Sequence, residues 1–261
     1  MIIYPICSSS KGNCLFVKKK DTAILIDAGT SFKNLVNCLK AKEFNEKTIK
    51  AIFITHEHSD HVKGLYAITK FLKVPVYSSK ETLKELIVKN NIFKGTKLFE
   101  INKKTAKISS LFVSAFRVFH DSAGGVRFRV FDGEKTLAVC TDLGEFNSNT
   151  IESLKTADFV FLEANYDEQM LRNGSYPLIL KRRIASKYGH LSNLDAARLM
   201  EILMNFGVKK FLLGHLSLKN NMSQIALKTV VEHLIKKNKK YLKDYEVFVA
   251  SEKNSGLIFK I

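Results

Sequence analysis

Three histidines of this 261-residue chain fall within six consecutive positions: His56, His58 and His61, with Asp60 just before the last. Imidazole nitrogens and carboxylate oxygens are the ligands that Zn²⁺ and related divalent cations accept. On a tight loop, His56 and His58 turn their rings the same way, whereas Asp60 and His61 can face a second position. This spacing predicts two neighbouring metal ions, a pair that can share a hydroxide and hold a phosphoryl or acyl oxygen. A polar surface loop is the alternative, but it seldom carries so many ligand residues.

Three more residues of metal-binding types each follow an apolar, strand-like run elsewhere in the chain: His120, Asp142 and His215. The α/β proteins place their sites at the carboxyl ends of strands. Taken alone, each of these residues has another interpretation, in which it only caps the end of a strand. Together with the histidine loop, they predict the remaining ligands of one metal centre.

The elements that must position these residues alternate along the chain, which predicts an α/β protein. No change in composition marks a linker, so we expect a single domain over residues 1–261. The predicted strands are Ile2–Ile6, Cys14–Val17, Thr22–Ile26, Lys50–Thr55, Val74–Tyr77, Leu111–Val118, Val126–Phe131, Thr136–Cys140, Phe159–Glu163, Lys209–Leu213, Tyr245–Ala250 and Leu257–Lys260. The predicted helices are Ser31–Lys42, Val62–Leu72, Glu81–Lys89, Asn193–Phe206 and Met222–Lys236.

The composition points to a globular, basic protein. Hydrophobic residues make up 46% and charged residues 26%, which excludes disorder as the main state. Lys and Arg number 42 against 25 Asp and Glu, a formal net charge of +17. Such a charge favours nucleic acid, an anionic membrane surface or phosphorylated substrates. The alternative is a compositional bias of the source genome, because Lys dominates the basic residues and Trp is absent.

Other features indicate a cytoplasmic protein with no membrane segment. The four cysteines show no CxxC pair and no disulfide-framework spacing, so we expect free thiols in a reducing compartment. The N-terminus lacks the pattern of a signal peptide, and no run approaches about 20 apolar residues.

The segment THEHSDH resembles the HxHxDH signature of the metallo-β-lactamase superfamily. Asp27 in LIDAG, His120, Asp142 in TDLG and His215 in GHLS follow in an order similar to that superfamily, and the resemblance covers essentially the whole chain. It implies a four-layer αββα sandwich, with two mixed β-sheets, helices on the outside and metals at one sheet edge.

The resemblance also implies a division of the ligands between two divalent ions per chain, Zn²⁺ or Mn²⁺. One ion would take His56, His58 and His120, and the other would take Asp60, His61 and His215. Asp142 would bridge the two ions. Asp27 would touch no metal and would instead hold the ligand loop through hydrogen bonds.

Finer motifs resemble the YycJ/WalJ-type exonuclease branch, which is related to the RNase Z-like nucleases. They include SSSKGNC, EANYDEQMLRNGSYP and two GHLS segments. The earlier GHLS places His190 where such nucleases have a histidine near the scissile phosphate. Glu163, at the end of its strand, resembles the acidic partner of that histidine.

We therefore expect a metal-dependent hydrolase that cleaves phosphodiester bonds of nucleic acid, with DNA favoured over RNA. Asp60 would orient the attacking hydroxide, and His190, oriented by Glu163, would contact the phosphate or protonate the leaving oxygen. The expected substrate-binding residues are Lys181, Arg182, Arg183, Asn220 and Asn221. The three basic residues are alternatively a solvated helix face, and the two asparagines alternatively terminate a turn. The small residues Ser8–Ser10, Gly12 and Asn13 form a turn that lies either near the site or apart from it.

Two other functions stay open at this stage. A thioesterase or lactonase-type hydrolase of small molecules would share the metal site but would need no basic channel. A non-catalytic, basic nucleic-acid-binding regulatory protein would carry a structural or vestigial metal site.

Overall fold

The structure is a computed structural model that describes residues 1–102, 104–253 and 256–261. Its strands are β1 Ile2–Ser9, β2 Gly12–Lys19, β3 Thr22–Ile26, β4 Ile49–Phe53, β5 Val76–Ser78, β6 Leu98–Glu100, β7 Ala106–Ile108, β8 Leu111–Arg117, β9 Val126–Phe131, β10 Thr136–Cys140, β11 Phe159–Glu163, β12 Lys210–Gly214, β13 Glu246–Val249 and β14 Phe259–Lys260. Its helices are α1 Phe32–Lys40, α2 Ser59–Val62, α3 Leu65–Leu72, α4 Lys80–Val88, α5 Ser148–Leu154, α6 Glu168–Asn173, α7 Leu178–Ile184, α8 Asn193–Asn205 and α9 Ser223–Lys236, with a short 3-10 helix at Glu46–Thr48.

Within the described residues, the strands form two mixed sheets of seven strands each, as the family resemblance implies. The first sheet has the order β14-β1-β2-β3-β4-β5-β6. Its strands β1 to β3 pair antiparallel, and β3 to β6 pair parallel. The second has the order β13-β12-β11-β10-β9-β8-β7, in which β10 to β13 run parallel. Parallel pairing brings the carboxyl ends of successive strands to one edge, where polar loops can meet.

The chain divides into two compact units. The first comprises Met1–Ala115, Ser122–Glu134 and Glu252–Ile261, and the second comprises Phe116–Asp121 and Lys135–Ser251. In the first unit, Phe16, Leu25 and Ile52 of the sheet belong to the same buried cluster as helix residues such as Leu35 and Ile68. The expectation of one domain over residues 1–261 stays a prediction.

The second unit has a buried core of its own. Strand residues Val160 and Phe211 cluster there with Met200 and Leu203 of α8 and Val230 of α9. The buried strands β10, β11 and β12 alternate with helices along the chain. Their sequences are nearly continuous apolar runs, which is typical of parallel sheets that are covered on both faces.

Most predicted elements are present, and β3, β9, β10 and β11 have the predicted bounds. The helix predicted over Val62–Leu72 is confirmed as α3 over Leu65–Leu72, but it begins later than predicted, because Val62 ends the separate helix α2 and the chain breaks at Gly64. A side chain at Gly64 would place its Cβ 1.7 Å from the Thr30 oxygen, so the backbones meet at this break. The sequence analysis missed β6, β7, α5, α6 and α7, which are short and carry little periodicity.

Among the described residues, no helix combines the length and hydropathy that crossing a bilayer requires.

Candidate metal centre

In the first unit, the histidine loop follows β4 and is largely buried. His56 and His61 have no exposed surface. The ring centroid of His56 lies 4.5 Å from that of His58 and 4.2 Å from that of His61. Asp60 Oδ2 lies 3.2 Å from His61 Nε2. The loop thus gathers the four predicted ligands of this unit into one cluster.

Asp27 holds this loop from the end of β3. It lies in the left-handed backbone region, at φ 62°, which is unusual for a residue other than glycine. Its carboxylate accepts hydrogen bonds from the Thr55 backbone N–H at 2.8 Å and from the Thr55 hydroxyl at 2.9 Å. It also lies 2.8 Å from His61 Nδ1, which makes Nε2 the ligand nitrogen of that ring.

The SSSKGN turn lies beside these ligands, a point that the sequence analysis left open. Asn13 Nδ2 is 3.1 Å from both Asp60 Oδ2 and His61 Nε2. The backbone N–H of Gly29 donates to the backbone oxygen of Asn13 at 2.8 Å. A Cβ at Gly29 would sit 1.7 Å from the backbone oxygen of Asp60, so only glycine allows the LIDAG loop to approach the histidine loop.

In the second unit, three parallel strands bring their ends together. Cys140 of β10 pairs with Leu162 of β11, and Leu162 pairs with Leu213 of β12. Asp142, Glu163 and His215 therefore emerge at one edge. Asp142 and His215 both have φ 55°, so the chain takes the left-handed conformation at each of these positions. Backbone of this kind clusters at functional sites.

Glu163 is the most heavily bonded group of this edge. It is fully buried, and its Oε2 accepts the backbone N–H groups of Leu143 at 2.9 Å and Leu191 at 3.1 Å. Its Oε1 lies 2.9 Å from Nδ1 of His190 and 2.8 Å from Nδ1 of His215. Burial would raise the pKa of Glu163, but the two imidazoles lower this pKa to about 2. The contact with His190 was predicted, whereas the contact with His215 was missed.

Asp142 lies between the imidazoles of the second unit. Its Oδ1 is 3.4 Å from His215 Nε2 and 3.8 Å from His120 Nε2. Donor atoms bound at about 2.1 Å to one tetrahedral ion lie roughly 3.4 Å apart. Both distances are close to that spacing, which suits a carboxylate that serves two neighbouring ions.

The donor set and its hydrogen bonds fit divalent metals. Ligating histidines characteristically donate their other ring N–H to a carboxylate or a carbonyl. His61 and His215 have Nδ1 beside Asp27 and Glu163, and His120 Nδ1 lies 3.1 Å from the Gly189 oxygen. Each ring can therefore present Nε2 to an ion. Asp142, Glu163, His190 and His215 each offer one ligand atom within 4.8 Å of the others.

His190 is more exposed than His120 and His215, the two predicted ligand histidines of its unit. Its side chain is 23% exposed, whereas those of His120 and His215 are 2% and 1% exposed. Since Nδ1 faces Glu163, Nε2 is the nitrogen that remains for a substrate.

The three predicted basic residues lie within α7, a helix without a buried residue. Arg183 Nε donates to Asp121 Oδ2 at 2.6 Å, and Lys181 Nζ donates to the Arg172 oxygen at 2.7 Å. Arg182 and Lys181 line a groove of about 490 Å³. These positions leave Arg182 the most available of the three side chains.

Asn220 and Asn221 are buried rather than displayed to a ligand. Asn221 Nδ2 donates to the backbone oxygens of Ala164 at 2.8 Å and Asn165 at 3.1 Å. The Asn220 backbone N–H donates to Ser217 Oγ at 3.2 Å. These contacts favour the alternative in which the two asparagines stabilise the turn.

Comparison with known proteins gives consistent relatives. A family model described as a beta-lactamase superfamily domain matches residues 22–216. Exodeoxyribonuclease YycJ of Bacillus anthracis is 35% identical over 235 residues, which cover 89% of this chain and 88% of that protein. Exodeoxyribonuclease WalJ of Streptococcus pneumoniae is 31% identical over 252 residues, which cover 94% and 93%.

Solved structures share the fold at low sequence identity. The metallo-β-lactamase fold protein YhfI from Bacillus subtilis superposes with a TM-score of 0.74 and 17% identity, over 99% of this chain and 98% of that one. The Zn²⁺-bound PqqB from Methylobacterium extorquens gives a TM-score of 0.73 and 15% identity, over the whole of both chains. This likeness confirms the predicted sandwich fold.

Proposed function

Because the chain belongs to the metallo-β-lactamase superfamily, we propose that it is a metal-dependent nuclease that hydrolyses phosphodiester bonds. The observation that carries the proposal is the double contact of buried Glu163. One carboxylate oxygen contacts Nδ1 of both His215 and His190. His215 is a predicted metal ligand, whereas the more exposed His190 is suited to contact a substrate. Two relatives of nearly full length are named exodeoxyribonucleases, which supports DNA as the substrate.

We propose two divalent ions per chain, and both Zn²⁺ and Mn²⁺ suit the donors. The residues that would hold one ion are His56, His58 and His120. Those that would hold the other are Asp60, His61 and His215, with Asp142 shared. When bound, such ions lower the pKa of water to about 7 and offset negative charge on phosphate oxygens.

The chain's own residues supply orientation and proton transfer. Asp60 is positioned by the Asn13 amide at 3.1 Å and would orient the attacking water. The carboxylate of Glu163 keeps the Nδ1 proton of His190, so Nε2 can contact the phosphate or, once protonated, donate to the leaving oxygen. Asp27 would act only through His61 and Thr55.

Nucleic acid is the substrate class that fits the charge. The net charge of +17 favours a polyanion, and Lys181 and Arg182 are candidates for backbone contacts. The four cysteines are free and buried, which suits the proposed cytoplasmic location.

The test is degradation of end-labelled duplex DNA, single-stranded DNA and RNA with Mn²⁺, with Zn²⁺ or with chelator. The variants are His58→Ala and Asp60→Asn. The control is His233→Ala, because His233 bonds Glu201 between α8 and α9, outside the candidate centre. We expect metal-dependent degradation in the wild type and the control, and its loss in both variants.

Two results would contradict the proposal. No degradation of any polymer by protein that holds about two metals would point to a small ester or thioester substrate. Binding of nucleic acid without turnover, unchanged by Asp60→Asn, would instead indicate a regulatory binding protein.

A further inference from the structure

We propose that a pocket of the first unit, next to the backbone of Asp60, binds a phosphate group of the nucleic acid other than the one that is cleaved. The pocket has a volume of about 330 Å³. Most of the residues that line it are of polar or charged types, and the lining includes Ser9, Lys11, Gly12, Gly29, Ser31 and Lys63. The inference rests on the proposed nuclease function and extends it to the way in which the substrate is held.

Two glycines of the pocket lining, Gly12 and Gly29, lie in close backbone contact. A Cβ at Gly12 would lie 2.5 Å from the Gly29 oxygen and 3.3 Å from Lys63 Nζ. A side chain at either glycine would therefore collide with the opposite loop or fill the space. A ligand in the pocket rests against the two loops that meet the metal ligands.

The charge of the pocket favours an anion. Lys63 Nζ donates to the backbone oxygen of Lys11, so its ammonium group is held over the glycine turn. In the part of the chain that the structure describes, neither Lys11 nor Lys63 forms an ion pair with a carboxylate. Glu252 also lines the pocket and is the acidic residue that opposes this charge.

The hydroxyls of the pocket are arranged as donors. Ser9 Oγ accepts the backbone N–H of Lys11 at 3.1 Å, and Ser31 Oγ accepts that of Asn34 at 3.1 Å. Because each oxygen already accepts a hydrogen bond, its own O–H can donate to a ligand. Two ammonium groups and two hydroxyl donors match the acceptor oxygens of a phosphate group.

The same turn connects the pocket to the metal ligands. Gly12 lies in the pocket, and the next residue, Asn13, contacts Asp60 Oδ2 and His61 Nε2. A strand that has one phosphate at the metal ligands can therefore place another phosphate of its backbone in the pocket. That phosphate is either a terminal monoester or an internal diester, and both present the same oxygens.

The experiment measures binding of short phosphorothioate DNA strands, which resist hydrolysis, to the purified full-length protein by fluorescence anisotropy at several salt concentrations. The variants are Lys11→Gln and Lys63→Gln. The matched control is Lys84→Gln, which removes an exposed lysine of α4 in the same unit. Lys63→Arg keeps the charge, and thermal unfolding of each variant checks its fold.

We expect Lys11→Gln and Lys63→Gln each to weaken binding roughly fivefold to tenfold and to reduce the salt slope by about 1. Lys63→Arg should restore most of the affinity, and Glu252→Gln should strengthen binding. If the loss is confined to strands with a 5′- or 3′-terminal phosphate, the pocket takes that terminus. An equal loss on unphosphorylated strands assigns it an internal phosphate.

Binding by Lys11→Gln and Lys63→Gln equal to that of Lys84→Gln, with an unchanged salt slope, would overturn the pocket proposal. The nuclease function would then stand if the wild type still degrades nucleic acid. Conversely, lysine-dependent binding by a wild type that cleaves no polymer would support the pocket and refute the nuclease.

Discussion

The two units carry their candidate ligands in opposite ways. In the first, His56, His58, Asp60 and His61 belong to one loop after one strand, whereas in the second His120, Asp142 and His215 come from separated segments. Yet each set depends on a single buried carboxylate that bonds histidine Nδ1 atoms and backbone N–H groups: Asp27 and Glu163. Ligands can therefore be arranged freely along the chain, provided that a fixed acceptor orients them.

The two carboxylates differ in the number of imidazoles that they serve. Asp27 contacts the Nδ1 of His61, and its other partners belong to Thr55. Glu163 contacts Nδ1 of both His190 and His215. Loss of Glu163 should therefore affect metal binding and proton transfer together, whereas loss of Asp27 should affect metal binding alone.

The largest effect is expected for Glu163→Gln. The amide is neutral and keeps only one acceptor oxygen, so it cannot accept from both imidazoles and both backbone N–H groups as the carboxylate does. Breaking a buried charged contact costs about 3–5 kcal/mol. We expect a loss of that order in the free energy of unfolding, measured by urea denaturation, and a fall in kcat of about 100-fold.

Glu201→Gln is the matched control for this substitution. Glu201 also bonds a histidine, His233 at 2.8 Å, but both side chains are partly exposed. Its replacement should change the free energy of unfolding by no more than about 1 kcal/mol. Equal effects of the two substitutions would remove the special role of Glu163.

Asp27→Asn should produce the next largest effect. Asparagine tolerates the left-handed backbone at this position, so the chain should fold, but His61 loses its carboxylate. We expect metal affinity to fall about 10–100-fold, measured by calorimetric titration, with an unchanged pH profile of the remaining activity. Asp21→Asn, in an exposed turn of the same unit, should leave affinity unchanged, and a shifted pH profile in Asp27→Asn would contradict the separation of roles.

Acid titration sharpens the contrast between the carboxylates in metal-free protein. The folded-state pKa of Glu163 is lowered from 4.5 to about 2, so its charge stabilises the fold above about pH 4.5. That contribution should disappear as the pH falls from about 4.5 towards 2. Urea denaturation at a series of pH values should show the wild type approaching Glu163→Gln in stability over this range. If the difference in the free energy of unfolding between the wild type and Glu163→Gln widened instead, the lowered pKa of Glu163 would be refuted.

The smallest effect concerns two neighbouring arginines of the second unit. Arg182 lines the groove beside α7, whereas Arg183 is paired with Asp121, whose Oδ1 lies 3.5 Å from His120 Nε2. Arg182→Gln should reduce the salt slope of DNA binding by about 1 and leave kcat unchanged. Arg183→Gln should lower kcat a few-fold, because it frees Asp121 beside His120. Identical changes in slope and kcat for both variants would show that the ion pair does not distinguish them.

The same contrast explains what the sequence could predict. The histidine loop is contiguous, so residue types and spacing alone identified it. His120, Asp142 and His215 were predicted as ligands because each follows the carboxyl end of an apolar strand, together with the family resemblance. The strands β10 and β11 were predictable because a buried parallel strand is one apolar run.

The missed contacts all depend on tertiary structure. Nothing in the local sequence shows that Glu163 reaches His215, or that Asn13 touches Asp60 across 47 positions. The left-handed backbone at Asp27 and Asp142 is equally invisible, because it is imposed by packing rather than by residue type. The basic helix α7 escaped prediction because no buried face gives it a periodicity.

The proposed two-metal centre is tested most directly by measuring the metal content of the purified chain and of two variants. These are His58→Ala from the first unit and His215→Ala from the second. We expect about two ions per wild-type chain and about one in each variant, since His58 and His215 belong to the proposed ligand sets of different ions. One ion or none in the wild type, or a count that falls in only one variant, would contradict it.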